Sequence, residues 1–188
     1  RMIPDYTASL EASTEGACED GACEPEHEVQ ASTDFAQCAR SGAKDCGTLP
    51  AIGATEWLNS LGEPHGTVTL VDFWSSSCVN CAREIPEIER IYEKYKDAGL
   101  VVIGVHSPQQ AHEREASVVS GAASRLGITY PVALDPELEA FQAYGANAWP
   151  THYLAGPDGQ LRSMGRGTSG LEEQIRALLT EAGASLPD

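Results

Sequence analysis

Cys78 and Cys81, separated only by Val79 and Asn80, are the residues of this sequence whose type and spacing most directly imply chemistry. A C-x-x-C pair can cycle between dithiol and disulfide, supply half of a zinc site, or act as a static staple, and context separates these readings. The pair follows the apolar, β-branched run Val68 to Trp74. It opens a stretch whose apolar residues Ile85, Ile88, Ile91, Tyr92 and Tyr95 recur at helical spacing. At a helix start, free N–H groups and the positive end of the macrodipole stabilise a thiolate, so Cys78 is expected to be the nucleophile. Cys81, one turn later, is expected to resolve a mixed disulfide formed on Cys78. A zinc site needs two further ligands, and the upstream C-x4-C and C-x7-C spacings are not those of fingers or ribbons. No metal and no cofactor are expected.

The other four cysteines, Cys18, Cys23, Cys38 and Cys46, allow three pairings, of which the local one, Cys18 with Cys23 and Cys38 with Cys46, is favoured. Free thiols in such a polar, acidic stretch would be exposed to oxidation, so structural disulfides and a compartment outside the cytoplasm are expected. The acidic loop between Cys18 and Cys23 reads as a solvated disulfide loop rather than a metal loop. The chain has 188 residues and a formal charge of -16, which disfavours nucleic acid as a partner. Its longest apolar stretch, Leu100 to Val105, is far shorter than the ~20 residues of a spanning helix. Starting at Arg1 with no basic, apolar leader, the chain reads as a mature or trimmed ectodomain.

The elements that must position the pair follow from pattern. Residues 1 to 50 carry ten acids and three bases, with few large apolar side chains, so residues 1–49 are expected to form an acidic arm and 50–188 the folded domain. The alternative within this arm is a short helix near Thr33 to Arg40. Strands are expected at Val68 to Trp74, Leu100 to His106 and Tyr130 to Leu134. Between them stand helices from Cys78 to Asp97 and from about Gln110 to Leu126. A β-α-β-α-β order of this kind implies parallel strands covered on both faces. A short helix ending near Tyr144 is expected next, then a hairpin of Thr151 to Ala155 and Gln160 to Met164 about the turn at Gly156 to Gly159. A closing helix from Leu171 to Ala182 ends the domain.

Val71-Asp72-Phe73-Trp74, the Cys78-x-x-Cys81 gap, Pro86 five residues past the second Cys, and the late Pro150 together resemble a thioredoxin fold: a central mixed sheet flanked by helices, here with an acidic N-terminal extension. Cys81-Ala82-Arg83-Glu84-Ile85-Pro86 is similar to the C-x-x-E-x-P continuation of the TlpA/ResA-like thiol-disulfide oxidoreductases. Further stretches are similar to the extracytoplasmic thioredoxin-like domain of DipZ-type proteins: Val79-Asn80, Ile103 to His106, Tyr130 to Asp135 and Tyr144 to Pro150. The resemblance covers about residues 50 to 182. Ser77 and Asn80 stand where most TlpA-like members have Trp and Pro. Because ~30 mV is ~1.4 kcal/mol for a two-electron couple, such changes near the thiolate can alter the redox direction.

The resemblance assigns roles to further residues. Asp72, a carboxylate in an apolar strand, corresponds to the buried acid that takes the proton of Cys81. Pro150 corresponds to the cis-proline, which with Trp149 and Thr151 offers backbone to an extended substrate. Trp74 is expected to pack under the redox loop, and Val79 and Asn80 to tune the thiolate. Glu84 is expected either to modulate the pair or to favour the helix terminus. His106, at a strand end, is expected to cap a loop rather than move protons. The implied activity is an extracytoplasmic, membrane-tethered thiol-disulfide oxidoreductase, first of all a reductase of exported cysteine-containing proteins such as apocytochromes c. It would be monomeric and supplied by a membrane thiol carrier of the CcdA/DsbD type. The rivals are a disulfide oxidase or isomerase and a redox-inert binding module. A peroxidase or a copper chaperone would need other cysteine spacings.

Overall fold

The computed structural model describes residues 35–41, 46–60 and 62–187. One mixed sheet of six strands, in the order β1-β4-β3-β2-β5-β6, organises these residues. The strands are β1 (Trp57–Leu58), β2 (Val68–Trp74), β3 (Leu100–His106), β4 (Val132–Leu134), β5 (Thr151–Ala155) and β6 (Leu161–Gly165). β2, β3 and β4 run parallel, while β1, β5 and β6 join antiparallel. The thioredoxin-like architecture expected from the sequence is therefore present.

Helices cover both faces. The described helical residues 35–41 form α1; then follow α2 (Val79–Tyr95), α3 (Ala116–Leu126), α4 (Glu139–Ala143) and α5 (Leu171–Glu181). Strand alternation divides the core into two clusters. Val68, Leu70 and Trp74 of β2 meet α2, α3 and α5 through Ile85, Ile88, Ile91, Val119, Ile175 and Leu179. Val71 and Phe73 meet Phe35, Phe141, Tyr144 and Tyr153 on the opposite face. The near-continuous apolar strands are buried on both sides, as a central parallel strand requires.

Two expectations change. The helix expected from about Gln110 to Leu126 is two elements, a 3-10 turn at Ala111–Arg114 and then α3, because Glu115 adopts an extended conformation between them. The expected boundary after residue 49 does not divide the described residues. Phe35 and Ala39 are buried in the second core and Ala36 is buried beside them, while the N–H groups of Leu161 and Leu49 donate to the carbonyls of Gly47 and Gly159. A Cβ at Gly145, whose φ is +69°, would lie 2.5 Å from the Ala36 carbonyl oxygen, so this glycine permits the close approach of α1. Residues 35–41 and 46–49 thus belong to the folded body despite their polar composition. Cys38 and Cys46 are disulfide-bonded, with Cα atoms 5.5 Å apart, whereas Cys18 and Cys23 lie outside the described residues.

Candidate active site

β2 delivers the chain to the site. After Trp74, the Ser75–Ser77 turn leads into α2, and Cys78 is the N-cap of that helix. Its Sγ accepts the Cys81 backbone N–H at 3.1 Å, and Cys78 and Cys81 are joined as a disulfide with Cα atoms 5.3 Å apart. Cys78 retains 8% of its surface, Cys81 only 1%, and Val79 beside them is 64% exposed. An attacking group from solvent therefore meets Cys78 first, with Cys81 behind it. Asn80 is exposed as well.

The turn that presents Cys78 is held by a carboxylate that the sequence did not single out. Glu113 is fully buried, and its Oε1 accepts from the Ser76 hydroxyl at 2.6 Å and from the Ser77 N–H at 2.7 Å. Its Oε2 accepts the N–H groups of Gln109 and Gln110 at 2.6 and 2.9 Å, and the Ser75 hydroxyl reaches both oxygens. Burial pushes the Glu113 pKa up, but these donors outweigh it and hold the value down at about 2. His106 adds a second tie, its Nε2 accepting the Ser76 N–H at 3.1 Å. Burial lowers its pKa to about 4 despite the neighbouring Glu113 charge, so the ring is neutral and can accept. This is a loop-holding geometry for His106. Trp74 packs edge-on against it, with ring centroids 4.8 Å apart.

Below the disulfide lies a polar patch inside an apolar face. Asp72 shares its strand face with Leu70 and Trp74, hence with Cys81 and Ile85 of α2. It is paired in register with Gly104 of β3 on one side and His152 of β5 on the other. A Cβ at Gly104 would stand 2.9 Å from the Tyr130 ring and 3.1 Å from the Trp74 indole nitrogen, so glycine lets both rings close over the strand beside Asp72. Neither Asp72 oxygen has a hydrogen-bond partner among the described residues. His152 faces Asp72, with Nδ1 3.0 Å from Oδ1, close enough for an ion pair though not aligned as a hydrogen bond.

His152 Nε2 lies 2.9 Å from Glu84 Oε2. Glu84, on the first turns of α2, also accepts the Gly167 N–H at 3.2 Å. Burial pushes the His152 pKa down, but the Asp72 charge and contact, with those of Glu84, raise it to about 9. The ring is therefore a cation at neutral pH. His152 is the residue that reading the sequence missed, although it carries the signal that drew attention to Asp72, a polar side chain in a buried strand.

Trp149-Pro150 is a cis peptide. Thr151 pairs with Phe73, so Pro150 stands level with the end of β2, at the edge of the sheet from which the redox turn departs. The Trp149 ring stacks on Phe141 at 4.4 Å and also packs against the cluster that contains Cys78 and Cys81. Thr151 donates to the Ala148 carbonyl at 2.7 Å. No group of three or more His, Cys, Asp or Glu positioned to hold a metal occurs among the described residues, and none of their helices is long and apolar enough to cross a membrane.

Residues 49–164 match the AhpC/TSA family. Over 209 aligned positions the whole chain is 38% identical to Protein DipZ of Mycobacterium bovis, of which it spans 29%. It is 30% identical to Thiol-disulfide oxidoreductase YkuV of Bacillus subtilis, with 69% of this chain covering 91% of that protein. Among solved structures, a thioredoxin-like protein in its oxidised form superposes with a TM-score of 0.64 at 28% identity, over 72% of this chain and 96% of that one.

Proposed function

We propose, from the premise that the chain belongs to the AhpC/TSA family and is a thioredoxin-like thiol-disulfide oxidoreductase, that it reduces disulfides of exported, cysteine-containing proteins on the outer side of a membrane. The observation that carries this reading is the asymmetry of the pair: Cys78 caps a helix at the surface while Cys81 is buried behind it, beside the face that carries Asp72. A solvent-facing thiolate and a shielded partner are what sequential exchange needs.

In the reducing direction the Cys78 thiolate attacks one sulfur of a client disulfide. The client S–S bond breaks, the first client sulfur leaves and takes a proton from water, and a mixed disulfide remains on Cys78. Asp72 takes the proton of Cys81, and the Cys81 thiolate then attacks Cys78. The Cys78–Cys81 bond forms, the second client thiolate leaves, and two electrons have passed from the pair to the client. Trp149, Pro150 and Thr151 would receive the client as an extended segment. A membrane dithiol carrier of the CcdA/DsbD type would restore the pair, and apocytochromes c are clients of suitable chemistry. On this reading the protein acts as a monomer without a cofactor, membrane-tethered in its full-length form. The Cys38–Cys46 disulfide supports an oxidising compartment, and the 38% identity to DipZ supports the envelope setting.

The test is stoichiometric. Reduced protein mixed with a disulfide-bonded protein substrate should release two client thiols per Cys78–Cys81 pair oxidised, and Cys78→Ser should release none. Unchanged release by Cys78→Ser would refute the reading.

A further inference from the structure

Asp72 and His152 face each other across the β2–β5 ladder, and alternation turns both toward α2. His152 is 4% exposed, and each of its ring nitrogens meets a different carboxylate, Nδ1 that of Asp72 and Nε2 that of Glu84. Asp72 is buried with 1% of its surface left, whereas the Glu84 side chain keeps 20%. The three groups therefore run in line from the floor of the redox site to solvent. A pocket of about 110 Å³, lined by His152, Ser163, Arg166, Gly167 and Gln174 among others, opens on the same ring.

We propose that Asp72, His152 and Glu84 form a proton-exchange line: as Asp72 takes the Cys81 proton, His152 releases its Nε2 proton to Glu84 and so to water. The inference rests on the reading of Asp72 as the acceptor for Cys81. The Cys81 negative charge leaves with the client thiolate, so without the exchange a protonated Asp72 would stay enclosed beside the His152 imidazolium, a net gain of one positive charge. Before the step the Asp72 carboxylate opposes the His152 imidazolium. Afterwards both are neutral, and the enclosed pair has the same net charge. The S–H bond of Cys81 breaks, an O–H bond forms on Asp72, and the N–H bond at Nε2 breaks. When a dithiol donor reduces the pair again, Asp72 returns its proton to Cys81 and His152 regains one from water through Glu84. The groups around the line are Asp72 from β2, Glu84 from α2, Arg166 just beyond β6, and the Tyr130 hydroxyl, which lies within the field of Asp72. His152 acts through Asp72 and is a positioning residue in this scheme.

The experiment follows single-turnover release of a client from the Cys78 mixed disulfide in full-length protein. His152→Ala should slow release at pH 7 by about tenfold or more, in the lower range of general acid–base effects. Added imidazole, a ring that fits the vacated space beside the pocket, should restore the rate in proportion to its concentration. Asp72→Asn should be slow and indifferent to imidazole, and the double variant should be no slower than Asp72→Asn. If His152→Ala does not fold, His152→Gln read as a pH–rate profile serves instead. It should lose the inflection that the wild type shows near the titration of His152. Normal release by a folded His152 variant, with Asp72→Asn slow, would overturn the line while leaving the role of Asp72 intact. Normal release by Asp72→Asn would overturn both. A slow His152→Ala that imidazole does not rescue would mark His152 as merely structural and also overturn the line.

Discussion

Glu113→Gln should loosen the turn that presents Cys78, and the size of the effect can be worked from the contacts. The carboxylate receives three donors on Oε1 and three contacts on Oε2, with the Ser75 hydroxyl shared. An amide keeps one acceptor oxygen and turns an NH2 group toward the other set, so either the Ser77 N–H or the Gln109 and Gln110 N–H groups face a donor. Each buried donor left unsatisfied costs about 1–3 kcal/mol. The proton affinity gives an independent figure: a pKa held near 2 against an ordinary 4.5 corresponds to about 3 kcal/mol at ~1.4 kcal/mol per tenfold. Because the folded-state value lies below the ordinary one, this stabilisation is present in full above pH 4.5 and is lost as the pH falls through about 2. Denaturant unfolding of the oxidised protein should therefore show Glu113→Gln less stable by about 3 kcal/mol at pH 7, with the gap closing toward pH 2. A gap that is absent at pH 7, or that stays constant down to pH 2, would refute the claim that an ionised Glu113 holds the turn.

Cys81→Ser should accumulate mixed disulfides with clients on non-reducing gels while Cys78→Ser accumulates few, and equal trapping would reverse or remove the assignment of the attacking thiol. The His152 value of about 9 stands above the ordinary 6.5, so its stabilisation is complete below pH 6.5 and is lost as the pH rises through about 9. The stability difference between wild type and His152→Gln should shrink across that window, and the His152 ring resonance in NMR should titrate at lower pH in Asp72→Asn. Phe35 is 3% exposed and packs edge-on against Tyr144 at 5.8 Å, so Phe35→Ala should cost about 3 kcal/mol in unfolding experiments. A cost near zero would return α1 to the status of a passive arm.

Much of this architecture was legible because single physical signals dominate it. The runs around Phe73 and Ile103 are apolar over most of their strand lengths, with Asp72 and Thr69 the polar residues within the first, and the observed strands end at Trp74 and His106, as expected. The apolar stripe of Ile85, Ile88 and Ile91 fixed the face that α2 buries. What was not legible depends on tertiary pairing. β1 has only two residues and is a strand because Trp57 and Leu58 pair with β4. Phe35 and Ala39 lie in a stretch too polar to announce a core position, and they are buried because the second face of the sheet needs a cover. Glu113 stands in the charged run His112-Glu113-Arg114-Glu115, where nothing distinguishes it, and only the return of the chain to Ser75–Ser77 makes it a clamp. Asp72 could be singled out from its strand alone, but its partner could not, since the β2–β5 register lies eighty residues away in sequence.

The central claim is that Cys78 and Cys81 are a two-electron couple poised to reduce clients. Equilibrating the protein in glutathione or dithiothreitol buffers of known potential and counting the oxidised fraction by alkylation and mass spectrometry tests it directly, with Cys38–Cys46 mapped in the same digests. The expected result is a single two-electron transition on the reducing side, nearer the about -270 mV of a thioredoxin than the about -120 mV of a strong oxidant. A midpoint near -120 mV would make the protein a disulfide donor, and the absence of any transition would make the pair a structural staple.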